Sequence, residues 1–133
     1  MNITTYSSES ITGIASLYYL MIHADGEVNE KEVESGLMMI KYEGIDEAQF
    51  NDRFKKCRNI DDEILYRSSI KALSKCDKET QIRTVAWISR IADSDGYVDP
   101  REWDLIYRTY ELELKLDLGK ILDVLKTLPF SWN

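Results

Sequence analysis

A twelve-residue segment that occurs twice constrains the fold of this chain more than any other feature. The first copy, IHADGEVNEKEV, begins at Ile22, and the second, ADSDGYVDPREW, begins at Ala92. Both contain an Asp-Gly pair, a valine after it and then a glutamate. Each copy follows an apolar stretch and precedes an amphipathic one, so the pattern predicts two helix–turn–helix units related by pseudo-symmetry.

Most residues of the repeat have a role in ending one helix and starting the next. A glycine readily adopts the left-handed conformation that closes a helix. The Asn or Asp that follows is a favoured N-cap, and the later glutamate completes a capping box. These roles fall to Gly26, Asn29 and Glu32 in the first copy and to Gly96, Asp99 and Glu102 in the second. Asp25, Asp93 and Asp95 are not needed for such a corner, so a functional role is considered for them.

The rest of the chain also has helical periodicity. Apolar residues recur at helical spacing in segments at about residues 8–25, 29–43, 46–57, 61–75, 78–94, 100–110 and 118–128. Aromatic residues on these stripes, such as Trp87, Trp103 and Tyr107, are expected in the core. The segment LELKLDL, residues 112–118, alternates like a strand but has no partner strand, so we interpret it as an irregular connection. The predicted fold is all-α: a single pseudo-symmetric domain, residues 1–133, of about seven helices built on two helix–DG turn–helix repeats.

Each DG corner resembles a calcium-binding loop only in part. An EF-hand loop has oxygen ligands at positions 1, 3, 5, 7, 9 and 12 around a glycine at position 6. When the repeat glycines are placed at position 6, position 1 is Met21 in the first copy and Ile91 in the second. Neither side chain supplies an oxygen, so neither loop is predicted to be a working EF-hand.

A metal site shared by the two corners is a separate hypothesis. If the corners lie close together, their carboxylates can converge, and calcium or magnesium prefers such clusters of oxygen ligands. Like-charged carboxylates that are brought together also need a cation or a basic group to neutralise them. The candidate metal ligands are Asp25, Glu32, Asp93, Asp95 and Glu102. The alternative is a solvated acidic face without metal.

Composition and charge narrow the range of partners. The 133 residues are 44% hydrophobic, which is enough for one core, and the formal net charge is -7. Such a charge repels nucleic acid and anionic membranes and favours cations or the basic surface of another protein. The apolar run ITGIASLYYLMIHA has about 14 residues, whereas a membrane span needs about 20. Cys57 and Cys76 belong to no CxxC motif, which favours reduced thiols in the cytoplasm.

The sequence contains few residues that could form a catalytic site. His23 is the only histidine and stands close to Asp25, where a histidine could serve as a base or a metal ligand. No serine lies in a GxSxG or SxxK motif, and no Gly-rich phosphate loop is present. We therefore predict no enzyme and no catalytic residues, and we expect His23 to be a structural residue at a helix C-terminus.

The two segments ADGEVNEKE and SDGYVDPRE, each behind an apolar helix, resemble the repeated pattern of the TerB-like tellurite-resistance family. The resemblance covers about residues 8–128 and implies an all-helical, roughly seven-helix fold with an acidic cluster at the DG corners. It also implies a role in tellurite and stress resistance. A similar domain heads a membrane-anchored DnaJ-type co-chaperone, but this sequence has no His-Pro-Asp tripeptide, so the resemblance does not imply that activity.

The predicted function is that of a non-enzymatic, cytoplasmic stress-response protein that binds a divalent cation at the acidic cluster. One alternative is a metal-free protein–protein interaction module. A second is an unrecognised hydrolase that uses His23 and the aspartates. The sequence leaves the oligomeric state open, a homo-oligomer included. The segment PFSWN, residues 129–133, is expected to fold back onto the core.

Overall fold

The computed structural model describes residues 6–129, and no residue in this range lies in a β-strand. The helices, in chain order, are α1 (Ser8–His23), α2 (Glu30–Glu43), α3 (Glu47–Cys57), α4 (Asp62–Ser74), α5 (Lys78–Ala92), α6 (Pro100–Tyr107) and α7 (Leu118–Leu125). A π-helical segment, Arg108–Glu113, joins α6 to the connection before α7. The prediction of an all-α fold with about seven helices is confirmed.

Helix α1 lies at the centre of the fold. It begins where the Ser7 side chain accepts a hydrogen bond from the Ser10 N–H, and most of its 16 residues are buried. It packs most extensively against α4 and α3, and it also contacts α5 and α6. A helix that is apolar on nearly every face is stable only when other helices surround it.

Helices α1 and α4 approach each other closely at Gly13. A Cβ atom on Gly13 would lie 2.8 Å from Cγ of Leu73, a side chain that is fully buried. The absence of a side chain at this position therefore sets the distance between the two helices.

The end of α2 is joined to α5 by a buried ion pair. The carboxylate of Glu43 accepts hydrogen bonds from Arg83 Nε (2.9 Å), from Trp87 Nε1 (2.8 Å) and from the Tyr6 hydroxyl. Burial alone would raise the pKa of the Glu43 carboxyl, but the donors, with Arg83 first, hold that pKa below its ordinary value. Gly44 then ends α2 in the left-handed conformation, with φ of 68°.

The chain departs from α-helical geometry after Tyr107. In the π-helical segment the N–H of Leu114 donates to the Thr109 carbonyl at 2.9 Å, five residues back. The N–H of Leu116 then donates to the Tyr110 carbonyl at 2.8 Å, and both leucines are buried. The predicted end of the sixth helix at residue 110 was wrong, and the connection predicted at residues 112–118 is irregular only after Glu113.

The aromatic residues predicted for the core divide into two groups. Trp87 is buried, whereas Trp103 and Tyr107 are about half exposed on α6. The prediction was therefore wrong for the two residues on α6. Residues 130–133 of the PFSWN segment lie outside the described residues, and its folding back onto the core stays a prediction. Across residues 6–129, no helix is long and apolar enough to span a bilayer.

Gly13→Ala is expected to destabilise the protein although alanine is the better helix former. The added methyl group overlaps Leu73, and overpacking of a dense core costs about 1–3 kcal/mol. Urea denaturation would measure the loss in free energy of unfolding. The matched control is Gly119→Ala near the exposed start of α7, where the nearest atom to the new Cβ is Oδ1 of Asp117 at 3.1 Å. Equal effects of the two substitutions would contradict a tight contact between α1 and α4.

Candidate functional site: the paired DG corners

The two copies of the repeat fold into nearly identical corners. The first corner, residues 24–29, joins α1 to α2, and the second, residues 93–99, joins α5 to α6. Gly26 and Gly96 adopt φ angles of 85° and 86°, in the left-handed region. The N–H of each glycine donates at 3.0 Å to a carbonyl three residues back, from His23 in the first corner and Asp93 in the second. The predicted helix–DG turn–helix repeat is thus present in both halves.

Both predicted capping boxes are formed. In the first corner the Glu32 N–H donates to Asn29 Oδ1 at 2.9 Å, and the Asn29 N–H donates to Glu32 Oε1 at 3.4 Å. In the second corner the Asp99 N–H donates to Glu102 Oε1 at 3.0 Å. Each glutamate thus turns back from the first turn of its helix towards the corner.

The aspartates before the glycines have a structural role that the sequence analysis missed. Oδ1 of Asp25 accepts a hydrogen bond from the Glu27 N–H at 3.0 Å, and Oδ1 of Asp95 accepts one from the Tyr97 N–H at 3.2 Å. Each side chain bonds to the backbone two residues on, which is the geometry of an Asx-turn. The Asp-Gly sequence itself is a signal for this turn.

The two corners, which are related by the pseudo-symmetry of the fold, contact each other. The side-chain amide of Asn29 donates to Oδ2 of Asp95 at 3.3 Å, which links the N-cap of one corner to the aspartate of the other. Glu32 and Glu102 also come close together, because the Glu102 side chain and its charge both contribute to raising the pKa of Glu32. Both glutamates are deeply buried, with exposed fractions of 1% and 3%.

The surroundings of the Glu32 carboxyl favour its protonated form. Burial comes first, followed by the hydrogen-bonding contact with Glu102 and the charge on Glu102, and together they raise the pKa of Glu32 from 4.5 to about 9. The Asn29 N–H works in the opposite direction, and the charge of Asp25 adds to the rise. The raised pKa favours the protonated form of the Glu32 carboxyl at neutral pH. Oε2 of Glu102 is buried and accepts no hydrogen bond from any N–H or hydroxyl group within residues 6–129.

The predicted metal ligands are brought together only in part. Glu32 and Glu102 are in contact, and Asp25 and Asp95 lie in the adjoining turns. Asp93 is an exposed residue at the C-cap of α5, where its charge acts on Arg90. The described part of the chain contains no group of three or more His, Cys, Asp or Glu side chains that could hold a metal ion.

A basic residue that the sequence analysis did not consider lies at the second corner. Arg101 Nε donates to Oδ1 of Asp99 at 3.1 Å, and this contact lowers the pKa of the Asp99 carboxyl. The charge of Asp25 in the first corner also acts on Arg101. One guanidinium thus offsets part of the negative charge of both corners.

His23 is an exposed residue of the last turn of α1. Its Nδ1 atom donates to the Tyr19 carbonyl at 2.8 Å, since a carbonyl can only accept, and its ring lies 4.1 Å from the Tyr19 ring. This contact agrees with the expectation of a histidine at the helix C-terminus.

The raised pKa of Glu32 predicts that the stability of the protein decreases as the pH rises. The folded pKa of Glu32 lies above the unfolded one, so its contribution to stability is full below about pH 4.5 and is lost as the pH rises towards about 9. The slope reaches at most about 1.4 kcal/mol per pH unit for one proton. Glu32→Gln keeps the capping box and is expected to flatten this slope in denaturant melts at pH 5.5, 7.0 and 8.5.

Glu30→Gln serves as the control, because Glu30 is exposed in the first turn of the same helix. It removes one negative charge without touching the pair and is expected to keep the wild-type slope. If Glu32→Gln left the pH dependence of the free energy of unfolding unchanged, the raised pKa of Glu32 would be contradicted.

Comparisons with known proteins agree with the all-helical fold described above. A crystal structure of a protein of unknown function from Porphyromonas gingivalis W83 has the same fold, with a TM-score of 0.70 and 22% identity over 95% of this chain and 100% of that chain. No curated protein matches the sequence significantly. The family described as "Tellurite resistance protein TerB" matches residues 12–117, which include both corners. The chain therefore belongs to the TerB tellurite-resistance family.

Proposed function

We propose that this protein is a non-enzymatic stress protein of the tellurite-resistance type, which acts in the cytoplasm and binds a divalent cation at the paired corners. The observation that carries the proposal is the contact between the buried carboxyl groups of Glu32 and Glu102. Two such groups need either a proton or a cation between them. Membership of the TerB family supports the stress-related role, and TerB is not a known enzyme family.

The chemistry of the pair suits a hard cation. Carboxylate oxygens are the preferred ligands of calcium and magnesium, and magnesium commonly keeps several waters while one or two carboxylates bind it. Glu32 and Glu102 would be the protein ligands, and the buried Oε2 of Glu102 accepts no hydrogen bond from any N–H or hydroxyl group among residues 6–129. Asp25 and Asp95 would add negative charge from the adjoining turns. Since three ligating side chains are not assembled in the described residues, we propose a weak site.

The cation would compete with the proton on Glu32. Metal ligands must be deprotonated, so cation binding releases the proton that Glu32 holds at neutral pH. The affinity should therefore increase as the pH rises towards the pKa of Glu32, about 9.

Thermal melts at pH 7.0 and 8.5 with 10 mM calcium, magnesium, manganese or zinc would test the cation site. At least one ion should raise the melting temperature of the wild type, more at pH 8.5, because a ligand that binds only the folded state stabilises it. At 100 times the dissociation constant the gain is about 2.7 kcal/mol. The double variant Glu32→Gln, Glu102→Gln should lose this gain.

The matched control is Glu30→Gln, Asp104→Asn, which removes one exposed carboxylate from α2 and one from α6. It should respond to the ion as the wild type does. An equal rise for wild type and for the Glu32 and Glu102 double variant would show that no cation binds between these glutamates.

A second candidate function is a metal-free interaction module for a protein with a basic surface. The observation that favours it is the exposure of three aromatic side chains at the second corner and on α6: Tyr97, Trp103 and Tyr107. Aromatic residues often dominate binding energy at protein interfaces. The partner would recognise these rings together with nearby carboxylates such as Glu30 and Asp104. Loss of a partner after Glu30→Lys, Asp104→Lys, with no effect of any cation, would favour this function over the first.

A further inference from the structure

A separate cavity lies between α1, α2 and α3. We call it the aromatic groove; its volume is about 520 Å³, within the range of roughly 300–1,000 Å³ that is usual for small-molecule sites. Tyr18, Tyr19, Phe50 and Phe54 line it from α1 and α3, and Val33 and Leu37 line it from α2. The lining of the groove does not include Glu32 or Glu102.

The aromatic rings of the groove form one connected surface. The Phe54 ring lies 5.7 Å from the Tyr18 ring, 5.4 Å from the Tyr19 ring and 6.4 Å from the Phe50 ring. Phe50 and Tyr18 are buried, so this surface is rigidly supported by the core. It offers a wide apolar contact area at little cost in side-chain entropy.

Gly36 and a hydrogen bond hold Tyr18 in place. The Tyr18 hydroxyl donates to the Glu32 carbonyl at 3.1 Å. A Cβ atom on Gly36 would lie 2.3 Å from the Tyr18 hydroxyl oxygen, so only glycine lets the ring pass under α2. The groove is therefore formed before any ligand arrives.

The α2 side of the groove is apolar where a solvated helix would be polar. Val33 and Leu37 are 42% and 43% exposed, and Val28 of the first corner adds a third exposed apolar side chain beside them. Exposed apolar residues that border one cavity typically mark a binding site.

Two cations line the same groove. Lys55 and Arg58, on and just after the last turn of α3, contribute to its lining and are exposed. Their neighbours Arg53 and Lys56 both pair with Asp52, whereas no acidic partner is found for Lys55 or Arg58 within residues 6–129. In a chain with net charge -7, two cations without an acidic partner beside an apolar cavity favour a ligand with a negative group.

We infer that the aromatic groove binds an amphipathic small molecule with an apolar chain and one carboxylate, of the medium-chain fatty acid class. The chain lies on the aromatic surface between α1, α2 and α3, and the carboxylate lies at Lys55 and Arg58. Burial of the chain supplies most of the affinity, and the two exposed cations add a smaller charge-dependent part.

Isothermal titration of the whole protein with sodium dodecanoate, below the concentration at which it self-associates, would test this site. Saturable binding at one site is expected, with dodecanol binding roughly tenfold more weakly and acetate not detectably. Lys55→Gln, Arg58→Gln should weaken dodecanoate binding about tenfold and leave dodecanol binding unchanged. The control Lys71→Gln, Lys120→Gln makes the same change in net charge at exposed sites on α4 and α7 and should bind dodecanoate as the wild type does.

Leu37→Asp provides an independent variant, because it places a negative charge in the groove and should abolish dodecanoate binding. Leu122→Asp on α7 is its control, since the two leucines are exposed to 43% and 45% and only Leu37 lines the groove. Circular dichroism and melting temperatures establish that each variant is folded.

Three results would overturn the assignment. The first is the absence of saturable dodecanoate binding, and the second is binding that neither groove variant weakens. The third is an acidic amphipathic peptide that binds more tightly than dodecanoate and loses its affinity in both groove variants, which would assign the groove to a protein partner.

Discussion

The burial of α1 is the constraint on which the rest of the structure depends. Its side chains are apolar on nearly every face, so α3, α4, α5 and α6 must pack around it. Gly13 permits a close approach of α4, whose Leu73 side chain fills the space beside it. Because α5 packs on the same helix, the corners that follow α1 and α5 are brought to the same region of the molecule. The two halves of the repeat then meet there, through Asn29 and Asp95.

The Glu32–Glu102 pair follows from local and global requirements that conflict. Each glutamate occupies the third position of its helix because a capping box stabilises the helix start. Pseudo-symmetry then places the two carboxyl groups against each other, where two negative charges would repel strongly in a site shielded from water. The raised pKa of Glu32 resolves the conflict by keeping the Glu32 carboxyl protonated. The remaining corner charge is offset by Arg101, which pairs with Asp99.

Features set by neighbouring residues were predictable from the sequence, and features set by helix packing were not. The conformations of Gly26 and Gly96 and both capping boxes follow from short-range rules, and all are present. The Glu32–Glu102 contact depends on two segments that are distant in sequence, and so does the pairing of Glu43 with Arg83. Apolar periodicity identified Leu37 on its stripe but cannot distinguish a residue that faces a core from one that faces a groove. The apolar periodicity assumed α-helical spacing, and this spacing ends after Tyr107, where the π-helical segment begins.

The hydrogen bond from the Tyr18 hydroxyl to the Glu32 carbonyl links the aromatic groove to the backbone of one residue of the acidic pair. Coupling between two sites is reciprocal: if a molecule in one site changes affinity at the other, the reverse change has the same magnitude. Tyr18 also lies against Gly36, so its ring has little room to move. If a ligand in the groove changes proton uptake at Glu32, then a change of pH changes the affinity for that ligand by the same factor.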